Sequence, residues 1–135
     1  MIENILKLIL SVCIGWILGK ERKKRDKNGG SRTLAIMCLS ACLISILSQK
    51  IEALGVDTFN FSRLMAYTIA GISFIGNGII IKNEQSVEGL TTASSLLICI
   101  IIGFCIGLGF YYETLTVSFL VYCLLDIKYW FNNEN

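Results

Sequence analysis

Apolar residues fall in five long blocks separated by short polar stretches. The blocks run at about 2–18, 33–47, 64–81, 91–110 and 115–130. A helix needs about 17–25 mostly apolar residues to cross a hydrocarbon core, and the blocks sit at or just below that length. The pattern predicts an all-α fold: a polytopic membrane bundle of about five transmembrane helices, forming a single transmembrane domain over 1–135.

Within the blocks, small residues recur at helical spacing. Ser11, Gly15 and Gly19 are four apart in the first, and Ala41 and Ser45 in the second. Ala66, Ala70, Ser73 and Asn77 share one face of the third. Thr91, Ser95, Cys99, Gly103 and Gly107 form a continuous stripe down the fourth. In lipid such faces let helix backbones approach closely. The third and fourth blocks, joined by the hinge Lys82–Glu88, are expected to be antiparallel neighbours and the organising pair of the bundle. Asn60 or Ser62 is placed to cap the third helix. Tyr111–Thr114 reads as a turn, and Ser48–Ser62 as a long linker with room for a short interfacial helix.

Charge adds an orientation. Seven of the twelve basic residues lie between Lys20 and Arg32, against only Glu21 and Asp26. Between two spans, a basic run is a cytoplasmic signal rather than a nucleic-acid patch. The loop after the first helix is therefore expected inside. Five crossings then put the N-terminus outside and the C-terminus inside, and no nucleic-acid partner is expected. Glu3 and Lys7, near the start of the first block, are expected to reach toward the interface.

Composition removes several chemistries. The chain has no histidine, so Ser-His-Asp and Cys-His nucleophiles are excluded, and it has no GxxxxGK[ST] phosphate loop. Its six cysteines all lie in apolar blocks without a CxxC pair, and read as free, buried thiols. Val12 before Cys13 is too large for a lipoprotein cleavage box, so the first block reads as a retained helix. Acidic residues lie in loops or at block ends, leaving no midplane carboxylate for a magnesium path. No catalytic residue, cofactor or metal ligand is expected.

Functional candidates gather around the hinge. Asn77 either contacts a ligand or hydrogen-bonds a hydroxyl of the fourth helix, with the second reading favoured. Thr91, Thr92 and Ser95 open a helix whose free N–H groups suit an anion, or simply a close packing contact. Arg32 and Arg63 stand at helix starts. Gly71, Gly76, Gly78 and Gly89 serve either close packing or a broken helix.

These residues also carry a family resemblance. Gly15-Trp-Ile-Leu-Gly19-Lys-Glu21-Arg22, Ser31-Arg32-Thr33, Ser62-Arg63, Gly71-Ile-Ser-Phe74-Ile-Gly76-Asn77-Gly78 and Gly89-Leu90-Thr91-Thr92-Ala93 occur in this order. Together they resemble the membrane domain of the MgtC/SapB family, in a short form without the C-terminal cytoplasmic domain of longer members. Ser73, Asn77, Asn60 and Leu97 depart from the family's usual residues. The resemblance implies a multi-pass protein of the bacterial cytoplasmic membrane with a non-catalytic, accessory role in magnesium homeostasis. It implies a partner membrane protein, membrane ATPases among them. The residues also allow a homo-oligomer. The alternative is a small homo-oligomeric transporter, channel or ligand-binding sensor with its site between Asn77, Thr91, Thr92 and Ser95.

Overall fold

The computed structural model describes residues 2–23, 30–55, 60–82 and 87–131. Five helices account for nearly all of them: α1 (Ile2–Lys23), α2 (Ser31–Ala53), α3 (Phe61–Ile79), α4 (Leu90–Leu108) and α5 (Tyr111–Phe131). Between α3 and α4, Ile81–Lys82 (β1) and Val87–Glu88 (β2) pair antiparallel. The basic run at 24–29, part of the 48–62 linker and the centre of the hinge lie outside the described residues.

Helix count and type follow the hydrophobic pattern, and the bounds differ in an informative way. The first two helices extend past their apolar blocks, to Lys23 and from Ser31 to Ala53. Lys, Arg, Gln and Glu are good helix formers, so polar flanks continue a helix that hydropathy alone would end. Tyr111–Thr114 is not a turn but the first turn of α5, where Glu113 sits favourably at the positive dipole end. In turn, α3 stops at Ile79, before the expected Ile81, because Ile80 turns extended to enter the ladder. Asn60 caps α3, its Oδ1 accepting from the Arg63 backbone N–H at 3.2 Å.

Three of the helices, α1, α2 and α4, are long and apolar enough to cross a membrane, and Tyr111–Leu125 is a shorter apolar helix. The remaining helix, α3, is diluted by Arg63, Thr68, Ser73, Asn77 and three glycines.

The bundle is organised around α2, not around the α3–α4 pair. A Cβ on Gly15 would stand 2.8 Å from the Ala35 Cα and 2.9 Å from the Leu34 carbonyl, and one on Gly19 would overlap Ser31. These contacts run in opposite order along the two chains, so α1 and α2 are antiparallel. On its other side α2 receives α4. A Cβ on Gly103 would overlap the Cys38 carbonyl, and one on Gly107 the Ser45 side chain, so α2 and α4 run parallel. Two side chains bridge this pair: Ser45 Oγ donates to the Phe104 carbonyl at 3.2 Å and Gln49 Nε2 to the Gly107 carbonyl at 2.9 Å. The core between α1, α2 and α4 holds Leu18, Leu34, Cys38, Cys42, Leu96, Ile100 and Phe104. Cys38, Cys42 and Cys99 are buried there and form no disulfide, while Cys13 is exposed. Lys7 is buried, and its Nζ pairs with the exposed Glu3 carboxylate at 2.9 Å.

The outer helices are more loosely held. One of them, α5, lies against α1 and α4; the other, α3, lies against α4. Phe61 meets Phe104 edge to face, with ring centroids 6.0 Å apart, near the start of α3. Near its end, a Cβ on Gly76 would touch Ala93 at 3.4 Å. The pair is antiparallel, as expected.

Candidate functional site

The tightest point of the α3–α4 pair is Gly89. It caps α4 at φ +83°, in the left-handed region that favours glycine, and a Cβ there would overlap the Ile79 carbonyl. This one glycine therefore lets the chain leave the ladder, start α4 and pass directly against the end of α3. Gly89 supplies no side-chain acceptor, so α4 begins without a side-chain cap.

From that point the exposed sides of α3 and α4 diverge and leave an outward groove of about 550 Å³. Its walls include Ser73, Phe74, Gly76 and Asn77 from α3, and Ser94 and Leu97 from α4.

The expected cluster of Asn77 with Thr91, Thr92 and Ser95 is not brought together. Successive helical residues are rotated by about 100°. Thr92 and Ser95 are buried with Leu96 and Cys99 on the side of α4 that faces the core, whereas Ala93, Ser94 and Leu97 face the groove. Thr91 is exposed, and its carbonyl accepts from Ser95 Oγ at 2.8 Å. Ser94 stands where Ser95 was expected, and the Ala93–Leu97 spacing was the available signal for it.

The favoured hydrogen bond from Asn77 to α4 is also not made. Ser73 and Ser94 donate to the Ile69 and Leu90 carbonyls of their own helices, at 2.9 Å each. Asn77 is exposed, and among the described residues its amide makes no hydrogen bond. Ala66, Ala70, Ser73 and Asn77 do share a face, but it points away from the bundle, and all four are exposed. Gly71 and Gly78 are exposed as well, and a Cβ on either would meet nothing within 4 Å. Of the α3 glycines, Gly76 alone packs within the chain. Arg32 and Arg63 are exposed in the first turns of α2 and α3. Among the described residues, no group of three or more Cys, Asp or Glu side chains is placed to hold a metal ion.

The geometry defines a helical membrane protein with a glycine-packed three-helix centre and an outer helix, α3, that carries exposed small and polar residues. Within that class its family is determined: residues 8–134 match the MgtC family, and the chain belongs to it. It is 31% identical over 132 residues to YhiD of Escherichia coli K12, a protein named for magnesium transport, covering 93% of this chain and 60% of that one. SapB of Bacillus subtilis strain 168 is 30% identical over 135 residues, covering 94% of this chain and 56% of that one. MgtC of Salmonella typhimurium strain 14028s is 30% identical over 125 residues, covering 91% and 51%. The chain thus spans between half and three-fifths of the length of these relatives. No solved structure matches it.

Proposed function

We propose that this chain is a non-catalytic protein of the bacterial cytoplasmic membrane that acts by contact with other membrane proteins. Its role is accessory or regulatory, in magnesium homeostasis or adaptation to low magnesium, and membrane ATPases are its partners. All five helices cross the bilayer as one domain, with the N-terminus outside and the basic loop and C-terminus inside.

The observation that carries this reading is the outward orientation of α3. This helix is peripheral, burying only Ile72 and Gly76, and it turns Asn77, Gly71 and Gly78 outward. Lipid offers Asn77 and the open glycines neither hydrogen bonds nor close packing, whereas a protein surface offers both. The carboxylates of α1 and α2 lie in terminal turns, α3 and α4 contain none, and α5 carries Glu113 in its first turn and Asp126 five residues before its end. That distribution suits a contact protein better than a midplane cation path.

A second reading, a small homo-oligomeric transporter, is favoured by the name of the Escherichia coli relative and by the polar groove. The two are separated by reconstituting purified protein in liposomes and following magnesium entry with an internal indicator. A contact protein adds nothing to the leak of empty liposomes. Magnesium entry that saturates and falls on Asn77→Ala would establish transport instead.

A further inference from the structure

We infer that the outward side of the α1–α2 hairpin, at its Lys20–Arg32 end, is a binding site for an anionic phospholipid. The inference rests on the reading above that α1 and α2 cross a bilayer, and it is independent of which protein the chain contacts.

The site follows from the closest approach of the two helices. A Cβ on Gly19 would overlap Ser31, so the end of α1 and the start of α2 touch at these residues. Lys20 and Arg32 each come one position later. Successive helical residues turn by about 100°. In an antiparallel pair, one step along each helix from a shared contact therefore brings both side chains to the same side of the pair. By the same rule Leu18 and Leu34 point to the other side, and both are buried in the core. Lys20 and Arg32 are exposed. Among the described residues neither side chain makes an ion pair or a hydrogen bond, and Glu21, the acid next to Lys20, is buried.

Three features select an anionic phospholipid. The first is depth. The apolar span of α1 ends at Glu21 and that of α2 begins at Ser31, so both cations stand at the boundary where lipid phosphates lie. The second is the surface beneath them. Trp16 and Ile36, one turn further in on the same side, are 47% and 60% exposed, and an indole favours the headgroup boundary. A soluble anion matches the two cations alone, whereas a phosphodiester carrying acyl chains matches the cations and the apolar surface together. The third is charge. Five further basic residues lie between Lys20 and Arg32 in the sequence, against two acids. Such a cluster beside a span attracts anionic headgroups, while a zwitterionic lipid brings a cation of its own and gains little.

The test is quenching of Trp16 fluorescence in vesicles of equal parts phosphatidylglycerol and phosphatidylcholine, with bromine on the acyl chains of one lipid or of the other. Trp130→Phe leaves Trp16 as the sole tryptophan of the chain. Brominated phosphatidylglycerol is expected to quench it more strongly than brominated phosphatidylcholine. Lys20→Gln and Arg32→Gln each weaken the preference about fivefold, and together they remove it, with helix content by circular dichroism unchanged. Lys20→Arg keeps the preference, and so does Lys50→Gln, which neutralises an exposed cation at the far end of α2. Equal quenching by the two lipids in the otherwise unaltered chain overturns the inference. A preference that survives the double substitution overturns it too, because the rest of the basic run then draws the lipid without this pair. No quenching by either lipid overturns the bilayer-crossing reading along with the site, so the two failures are distinguishable.

Discussion

Gly103→Ala is the sharpest probe of the packing account, because one added methyl falls on the contact between two helix backbones. The new Cβ would overlap the Cys38 carbonyl and stand 2.8 Å from the Ala41 Cβ. Carbon atoms pack at about 3.5–4.0 Å, so α2 and α4 must part by roughly 1 Å. That movement carries the Ser45–Phe104 and Gln49–Gly107 hydrogen bonds, at 3.2 and 2.9 Å, beyond bonding range. Overpacking costs about 1–3 kcal/mol, and the two interhelical bonds about 0.6 kcal/mol each. The better helix propensity of alanine returns about 1 kcal/mol. The net loss is about 1–3 kcal/mol. Gly71→Ala is the matched control: it makes the same chemical change on the open face of α3 and keeps the propensity gain of about 1 kcal/mol without a clash. Reversible unfolding in mixed micelles, titrated with a denaturing detergent and followed by circular dichroism, reads both. The two variants should move in opposite directions. A Gly103→Ala protein as stable as the wild type would refute the reasoning, and so would equal destabilisation by Gly71→Ala.

Other expectations follow from single contacts. Gly89→Ala combines a left-handed backbone with an overlap on the Ile79 carbonyl, so it should cost about 2 kcal/mol or more and loosen the α3–α4 hinge, seen as faster amide exchange around Ile79–Leu90. Asn60→Ala removes the α3 cap and should cost about 1 kcal/mol, read as fraying of the first turn by amide exchange, with α1 and α2 unchanged. Cys38, Cys42 and Cys99 are packed between the helices and should react with a maleimide only after unfolding, read as the mass added to the chain.

The sequence made some of this legible and hid other parts for identifiable reasons. Five helices, the antiparallel α3–α4 pair, the Asn60 cap and the tight glycines of α1 and α4 follow from periodicity and local chemistry. Helix ends did not, because hydropathy marks the part of a helix suited to lipid, and Ser48–Ala53 and Tyr111–Thr114 are helical but polar. Nor could the stripe Ala66-Ala70-Ser73-Asn77 say which way it faced. In a soluble protein polarity would settle that, but in a bilayer a small polar face can point to a neighbour inside the chain or to one outside it. The same ambiguity put Ser95 at the groove in place of Ser94, a rotation of one residue. The central position of α2 was also not visible, since it contains no glycine of its own. Its role comes from receiving glycines on two sides, Gly15 and Gly19 from α1, and Gly103 and Gly107 from α4.

The claim that this protein works by contact is tested most directly by affinity capture of the full chain from mild detergent, using cells grown in low and in high magnesium, with identification of co-purifying proteins by mass spectrometry. A membrane ATPase subunit should co-elute in stoichiometric amount, enriched in the low-magnesium sample. Recovery of the chain with no ATPase subunit under either condition would contradict the account.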